Sequence, residues 1–119
     1  MNIDYDDIIP KILTAMFPNE EERKRAIIRL EDYGVENWQV ESQRVRLAIL
    51  NLTYDSPEKF DEIVDCACED YRDVLYFAES PLTIVEDWGL KEENPTLFRL
   101  LSEADELNYM NWIKQLTTA

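Results

Sequence analysis

Residues 18–35, PNEEERKRAIIRLEDYGV, carry the signals of one complete helix. Asn19 is placed to cap the N-terminus, and Glu22 follows three residues later, the spacing of a capping box. Glu20, Glu21 and Glu22 complement the positive end of the helix dipole. Gly34 is expected to close the helix in the left-handed conformation. Ile27 and Leu30, with Ile28 beside them, are expected to face inward. The basic run Arg23-Lys24-Arg25 follows three glutamates at helical pairing distance. It therefore predicts a solvated, self-neutralised face and not an anion-binding motif.

The same punctuation extends in both directions. Upstream, residues 6–17 place Ile8, Ile9, Ile12, Leu13 and Met16 on one helical face. Pro10 fits that helix only if it starts just before the proline, where a missing N–H costs nothing. Downstream, Val45, Ala48, Ile49 and Leu52 follow the i, i+3, i+4, i+7 pattern of a helix over 40–52, with Trp38 leading in. Ser56 and Pro57 suit the N-cap and first position of a fourth helix. That helix carries Phe60, Ile63, Val64, Ala67 and Tyr71 on one stripe. It either continues to Glu79 or gives way to a fifth helix near Tyr71, capped by Asp70 or Asp73. Tyr71, Val74, Leu75 and Ala78 face inward in both cases.

Pro81 ends that segment. The stretch LTIVEDWGLKEE, residues 82–93, has β-branched character and contains Gly89, so it reads as a loop. Asn94 and Pro95 cap and open the last helical segment. Leu97, Leu100, Leu101, Ala104 and Leu107 are its expected inward face, with a break near Ser102 and Asp105. Tyr109 and Trp112 then share one helical face. These elements predict an all-α fold, a compact bundle of five or six helices in a single domain spanning residues 1–119.

Composition limits the chemistry. The chain has 119 residues, enough to bury a core without disulfides or metals. Its net charge is −14. The charge is uneven: residues 1–54 hold 7 basic and 10 acidic side chains, and residues 55–119 hold 5 and 16, a net of −11. Such a surface repels phosphate backbones and anionic lipid, so nucleic acid and membranes are not expected partners. It would steer a basic protein toward the C-terminal half, although solubility alone also accounts for an acidic surface. No apolar run reaches the ~20 residues of a membrane span. The N-terminus MNIDYDDII is acidic where a signal peptide would be basic. A cytoplasmic protein is expected.

Histidine is absent, which removes Ser-His-Asp and Cys-His catalysis. Two glycines cannot build a phosphate-binding loop. Cys66 and Cys68 form C-x-C without further Cys or His, so reduced structural thiols are expected instead of zinc. No cofactor is expected. Asp61, Glu62, Asp65, Glu69, Asp70 and Asp73 recur at helical steps along the fourth helix. A Mg²⁺ site needs such carboxylates to converge from two helices. Glu62 and Asp65 resemble half of that arrangement, as in all-helical nucleotide pyrophosphohydrolases, but no second half is evident.

Arg72 is the single basic residue between Lys59 and Lys91. It stands among carboxylates and aromatics in EDYRDVLYFAESP, residues 69–81. On a helix its neighbours are Cys68, Glu69 and Tyr76, with Asp65 and Glu79 two turns away, and it would pair with Glu69 or Glu79. It would then serve as a clasp between the fourth and fifth helices, or as an anchor for an acidic or anionic ligand. The segment DYRDVLYFAESP resembles one found in small uncharacterised all-helical bacterial proteins. RVRLAILNLT (44–53) and the terminal YMNWI (109–113) are similar to the same pattern. The likeness spans about half to two-thirds of the chain. It implies a small helical fold and no known activity.

The sequence therefore predicts a non-enzymatic protein-interaction module with an acidic surface. Two alternatives stay open: a Mg²⁺-dependent nucleotide hydrolase, and an acidic DNA mimic or toxin-neutralising protein. The candidate interaction residues are Arg72, Tyr76, Glu79, Asp61, Glu62, Asp65 and Trp88, the last an aromatic anchor in the least regular loop.

Overall fold

The computed structural model describes residues 3–85 and 90–117. Among them it contains helices and no strand. The order is α1 (Tyr5–Met16), α2 (Glu20–Leu30), α3 (Ser42–Thr53), a 3-10 turn (Pro57–Lys59), α4 (Phe60–Glu69), α5 (Tyr71–Glu79), α6 (Pro81–Val85), α7 (Leu90–Glu93) and α8 (Pro95–Thr117). The expected all-α class holds. The segment read as a loop after Pro81 instead forms the short helices α6 and α7, because Pro81 opens a helical turn as readily as it ends one. Trp88 lies outside the described residues.

α3 is the axis of the core. Val45, Leu47, Ala48, Ile49 and Leu50 are fully buried, which places apolar side chains on nearly every side of the helix. α1, α4 and α5 pack around it. α1 contributes Ile8, Ile9, Ile12, Leu13 and Met16, the whole predicted stripe. Pro10 stands inside α1 and not at its start, since Asp4 caps the helix by accepting from the Asp7 N–H. Pro10 and Asp6, the residue four before it, are both exposed. The omitted backbone bond therefore falls where solvent reaches the helix.

α2 begins as its sequence predicts: the Asn19 side chain accepts from the Glu22 N–H at 3.0 Å. It buries Ala26 and Leu30, whereas Ile27 and Ile28 are exposed, against expectation. The helix leans on the bundle through the small Ala26, which turns the isoleucine pair outward. Gly34 does adopt a positive φ of 114°, but only after a turn beyond Leu30. That turn is pinned from within. The buried Gln39 side-chain oxygen accepts from the Gly34 and Glu36 N–H groups at 2.8 and 3.0 Å. Arg46 donates twice to the Tyr33 carbonyl. The Tyr33 hydroxyl donates to the Val40 carbonyl at 2.9 Å.

α4 and α5 are separate helices. Asp70 takes an extended conformation between them (φ −155°, ψ 98°), and its side chain accepts from the Arg72 N–H. Phe60, Val64 and Ala67 of α4 and Val74, Leu75 and Ala78 of α5 are buried, as their spacing predicts. α8 differs from its expected orientation. It is unbroken, and its inner face is Asp105, Tyr109 and Ile113. Leu97, Leu100 and Leu107, predicted to point inward, are exposed. α7 packs on α8, and α6 on α5 and α8. The molecule measures 50 × 33 × 25 Å with a radius of gyration of 15.1 Å. A rounder domain of this length would have about 13–14 Å, so the outer half of α8 and its short helices extend beyond the bundle.

Candidate functional site

Two arginine-centred clusters organise the polar surface. The first joins α2 to α4. Arg25 reaches Asp61 at 2.6 Å, and Arg29 donates to the Asp61 side chain and carbonyl at 3.2 Å each. Arg29 also pairs with Asp65 and, at 2.7 Å, with Asp32. The hydrogen bond from Arg25 holds the Asp61 carboxyl below the usual carboxylate range. The run Arg23-Lys24-Arg25 is thus only partly self-neutralised. Lys24 pairs with Glu20, but Arg23 donates to the Phe17 and Pro18 carbonyls and Arg25 crosses to α4. Asp61 and Asp65, read from sequence as interaction residues, are engaged inside the molecule. Glu62 is exposed on the same helix.

The second cluster is built on Arg44. Its guanidinium forks onto Glu79, with Nε to Oε2 at 2.8 Å and Nη2 to Oε1 at 2.5 Å, and its third nitrogen donates to Glu41 at 2.9 Å. This two-pronged geometry ties α3 to the end of α5. Glu79, an expected partner of Arg72, is thus clasped by Arg44 from α3. Arg72 is exposed and forks onto Asp70 at 2.9 Å on each prong, instead of pairing with Glu69 or Glu79. The cause is the extended backbone at Asp70. It separates Arg72 from the helix that carries Glu69 and sets the capping carboxylate next to the guanidinium, while Glu79 is held by Arg44.

The Arg44–Glu79 pair divides two clefts. One, of about 250 Å³, is lined by Glu41, Tyr71, Arg72, Leu75 and Tyr76 together with the pair itself. Three predicted residues, Arg72, Tyr76 and Glu79, therefore share one cleft, whereas Asp61, Glu62 and Asp65 do not line it. The other, of about 340 Å³, lies between the start of α1, the end of α5 and α8, and is lined by Tyr5, Ser80, Ser102, Glu106 and Tyr109 among others. Tyr109 is buried, and its hydroxyl has no hydrogen-bond partner among the described residues. Burial, followed by the charge of Glu79, raises the Tyr109 pKa strongly. Burial and Glu79 raise that of Tyr5 as well. Both phenols are consequently neutral hydrogen-bonding groups.

Arg44 and Tyr5 line this geometry, and Asp105 of α8 holds the backbone of Leu82 and Thr83 on α6; none was singled out from sequence as a site residue. Arg44 and Glu79 are 35 positions apart, and only the packing of α5 on α3 brings them together. Asp105 had a local signal, a carboxylate on the inner face of an apolar helix, but its partners lie on α6. Cys66 and Cys68 are both free thiols, the first exposed. Among the described residues, no three His, Cys, Asp or Glu side chains are grouped to hold a metal.

The solvent face of α8 completes the picture. Leu97, Leu100, Ala104 and Leu107 follow a 3-4-3 spacing, the repeat of a coiled-coil seam. The three leucines are 38%, 53% and 60% exposed. Glu103 and Glu106 are exposed on the same helix, as are Glu92 and Glu93 on α7, which packs on α8; Lys91 and Arg99 are the exposed basic residues of residues 90–107. No family model, no curated protein and no solved structure matches the chain.

Proposed function

We propose that this protein is a non-enzymatic interaction module whose docking surface is the outer face of α8. The observation that carries the reading is the exposed Leu97–Leu100–Leu107 seam at heptad spacing, on a segment whose exposed charges are mainly carboxylates. Apolar side chains at this spacing on an exposed helix suit a second helix laid along them. The surrounding acidity selects the partner's charge, so the proposed occupant is a basic amphipathic helix. A second copy of this chain would meet the seam with like charge, at a net of −14 per molecule. The free thiols Cys66 and Cys68 support a cytoplasmic setting. No helix among the described residues is long and apolar enough to cross a membrane. The hydrolase alternative draws less support, because the Asp65 carboxylate is occupied by Arg29.

A defined probe tests the proposal: a synthetic amphipathic helix with leucines at heptad positions and lysines beside them, followed by fluorescence anisotropy. Saturable binding that weakens with salt is expected, and Leu100→Asp with Leu107→Asp should abolish it. A glutamate-flanked version of the peptide should not bind. Equal affinity for both peptides would remove the charge argument. Concentration-dependent dimerisation through the same leucines would assign the seam to a second copy.

A further inference from the structure

The turn between α2 and α3, residues 31–41, is held from within. Gln39 is its hub. Its side chain is buried, and its oxygen accepts from the Gly34 and Glu36 N–H groups. Its own N–H donates to the Glu36 carbonyl at 3.0 Å. The buried Tyr33 ties the start of the turn to its end by donating to the Val40 carbonyl, and Arg46 of α3 holds the Tyr33 carbonyl in place. Glu41 then closes the turn in the left-handed region, at φ 50°, the one non-glycine residue to do so among the described residues. Such a backbone persists only where its surroundings over-determine it.

This fixed frame displays apolar side chains to solvent. Val35 is 74% exposed, Trp38 49% and Val40 45%. Scattered exposed apolar residues need no explanation. Three within six positions, on a backbone fixed by buried hydrogen bonds, do. Tryptophan is the most effective interface anchor, and a turn already ordered loses little freedom on binding. A turn presents its side chains on a convex surface, so the complementary surface is a pocket. Charge sets the rim of that pocket. Residues 31–41 contain four carboxylates and no lysine or arginine. Asp32 is paired with Arg29, and Glu41 with Arg44. Glu31 and Glu36 are exposed, with no cationic partner among the described residues. We propose that this turn is a second docking surface, which seats Trp38 in an apolar pocket of a protein partner whose rim turns lysine or arginine toward Glu36. It is independent of the α8 seam, because the turn joins α2 to α3, whereas α8 packs on α1, α5, α6 and α7.

A synthetic host of that chemistry tests the proposal: β-cyclodextrin carrying ammonium groups on one rim, with neutral β-cyclodextrin as the control, followed by isothermal titration. The aminated host should bind saturably, and several-fold more tightly than the neutral one at low salt. The two should converge at high salt. Trp38→Ala should weaken binding at least tenfold while the melting temperature stays nearly unchanged, since the side chain is half exposed. Glu36→Gln should weaken binding of the aminated host alone. Gln39→Ala keeps the indole but frees the turn, so it should weaken binding several-fold and speed amide exchange at Gly34 and Glu36. Leu100→Ala and Glu103→Gln, both on α8, should leave binding unchanged. Failure of the aminated host to bind the unmodified protein would overturn the proposal, as would full binding by Trp38→Ala or equal affinity for the two hosts at low salt.

Discussion

Asp105 on α8 holds Thr83 on α6 by two hydrogen bonds to one carboxylate oxygen, 3.0 Å from the backbone N–H and 2.7 Å from the hydroxyl. Its other oxygen accepts from the Leu82 N–H at 3.0 Å. α6 is a single short helix that could not persist by local propensity. Pro81 at its start has no N–H to offer, and the next two donors go to Asp105. The cap thus comes from another helix, and it also satisfies a carboxylate that is almost wholly buried.

Loss of that cap should be costly. Asp105→Ala removes three charge-assisted hydrogen bonds and leaves two backbone donors partly buried. A loss on the order of 2–3 kcal/mol is expected. Thr83→Val, which removes the hydroxyl alone, should cost about 1 kcal/mol. Urea unfolding of both variants measures the difference, and equal midpoints would place the cap outside the cooperative core.

Arg44 and Arg72 should separate cleanly. Arg44→Ala leaves the half-buried Glu79 without its fork, at a cost of about 1–2 kcal/mol. Arg44→Lys should recover only part, because an ammonium cannot match both carboxylate oxygens. Arg72→Ala removes an exposed pair and should leave the denaturant midpoint unchanged. Loss of stability at Arg72 instead of Arg44 would contradict the assignment of the clasp.

The α2–α4 cluster sets an acid limit. The Asp61 carboxyl is held low in the folded protein, chiefly by its hydrogen bond from Arg25. Its stabilisation is fully present above the unfolded value of about 3.9. It is lost as pH falls through the lower folded value. Asp61→Asn lacks this contribution, so the two proteins should differ by a constant amount between pH 5 and 7 and converge below about pH 4. The gap should also narrow with salt, because the pair is half exposed. Urea midpoints collected across that range provide the check; a gap that persists unchanged at low pH would show that Arg25 and Asp61 are not coupled.

Gly34 should resist replacement. Its φ of 114° suits glycine, and an added Cβ would lie 3.0 Å from the Arg46 guanidinium and 3.2 Å from the Ser42 Cβ. Gly34→Ala is expected to destabilise by more than about 1 kcal/mol, read as a fall in melting temperature.

Much of the fold was legible because local signals and burial agreed. The Ile8–Met16 stripe and the Asn19 cap are such cases, whereas Ser56 and Pro57, expected to cap and open the fourth helix, open a 3-10 turn without a side-chain cap, and α4 starts only at Phe60. Prediction failed where a helix offers two apolar faces. α8 carries Leu97, Leu100 and Leu107 on one side and Tyr109 and Ile113 on the other, and spacing alone cannot say which side meets α1 and α5. Ile27 and Ile28 failed similarly, because adjacent isoleucines outweighed Ala26 on paper. The candidate site was legible only in part. Arg72, Tyr76 and Glu79 do share a cleft, but the ion pair beside it is long-range, and one extended residue, Asp70, redirected Arg72.

α8 runs for 23 residues, about 34 Å at the helical rise, yet its ends have different surroundings. From Asp105 onward it packs against α1 and α5, and its Trp112 meets the ring of Tyr54 edge-on. Before Asp105 it is covered mainly by two short helices. Amide protons in one continuous helix should therefore exchange on two clocks. Those near residues 97–101 should be released by fraying from Pro95, and those near 109–113 only when the whole bundle opens. Asp105 is the point at which fraying stops.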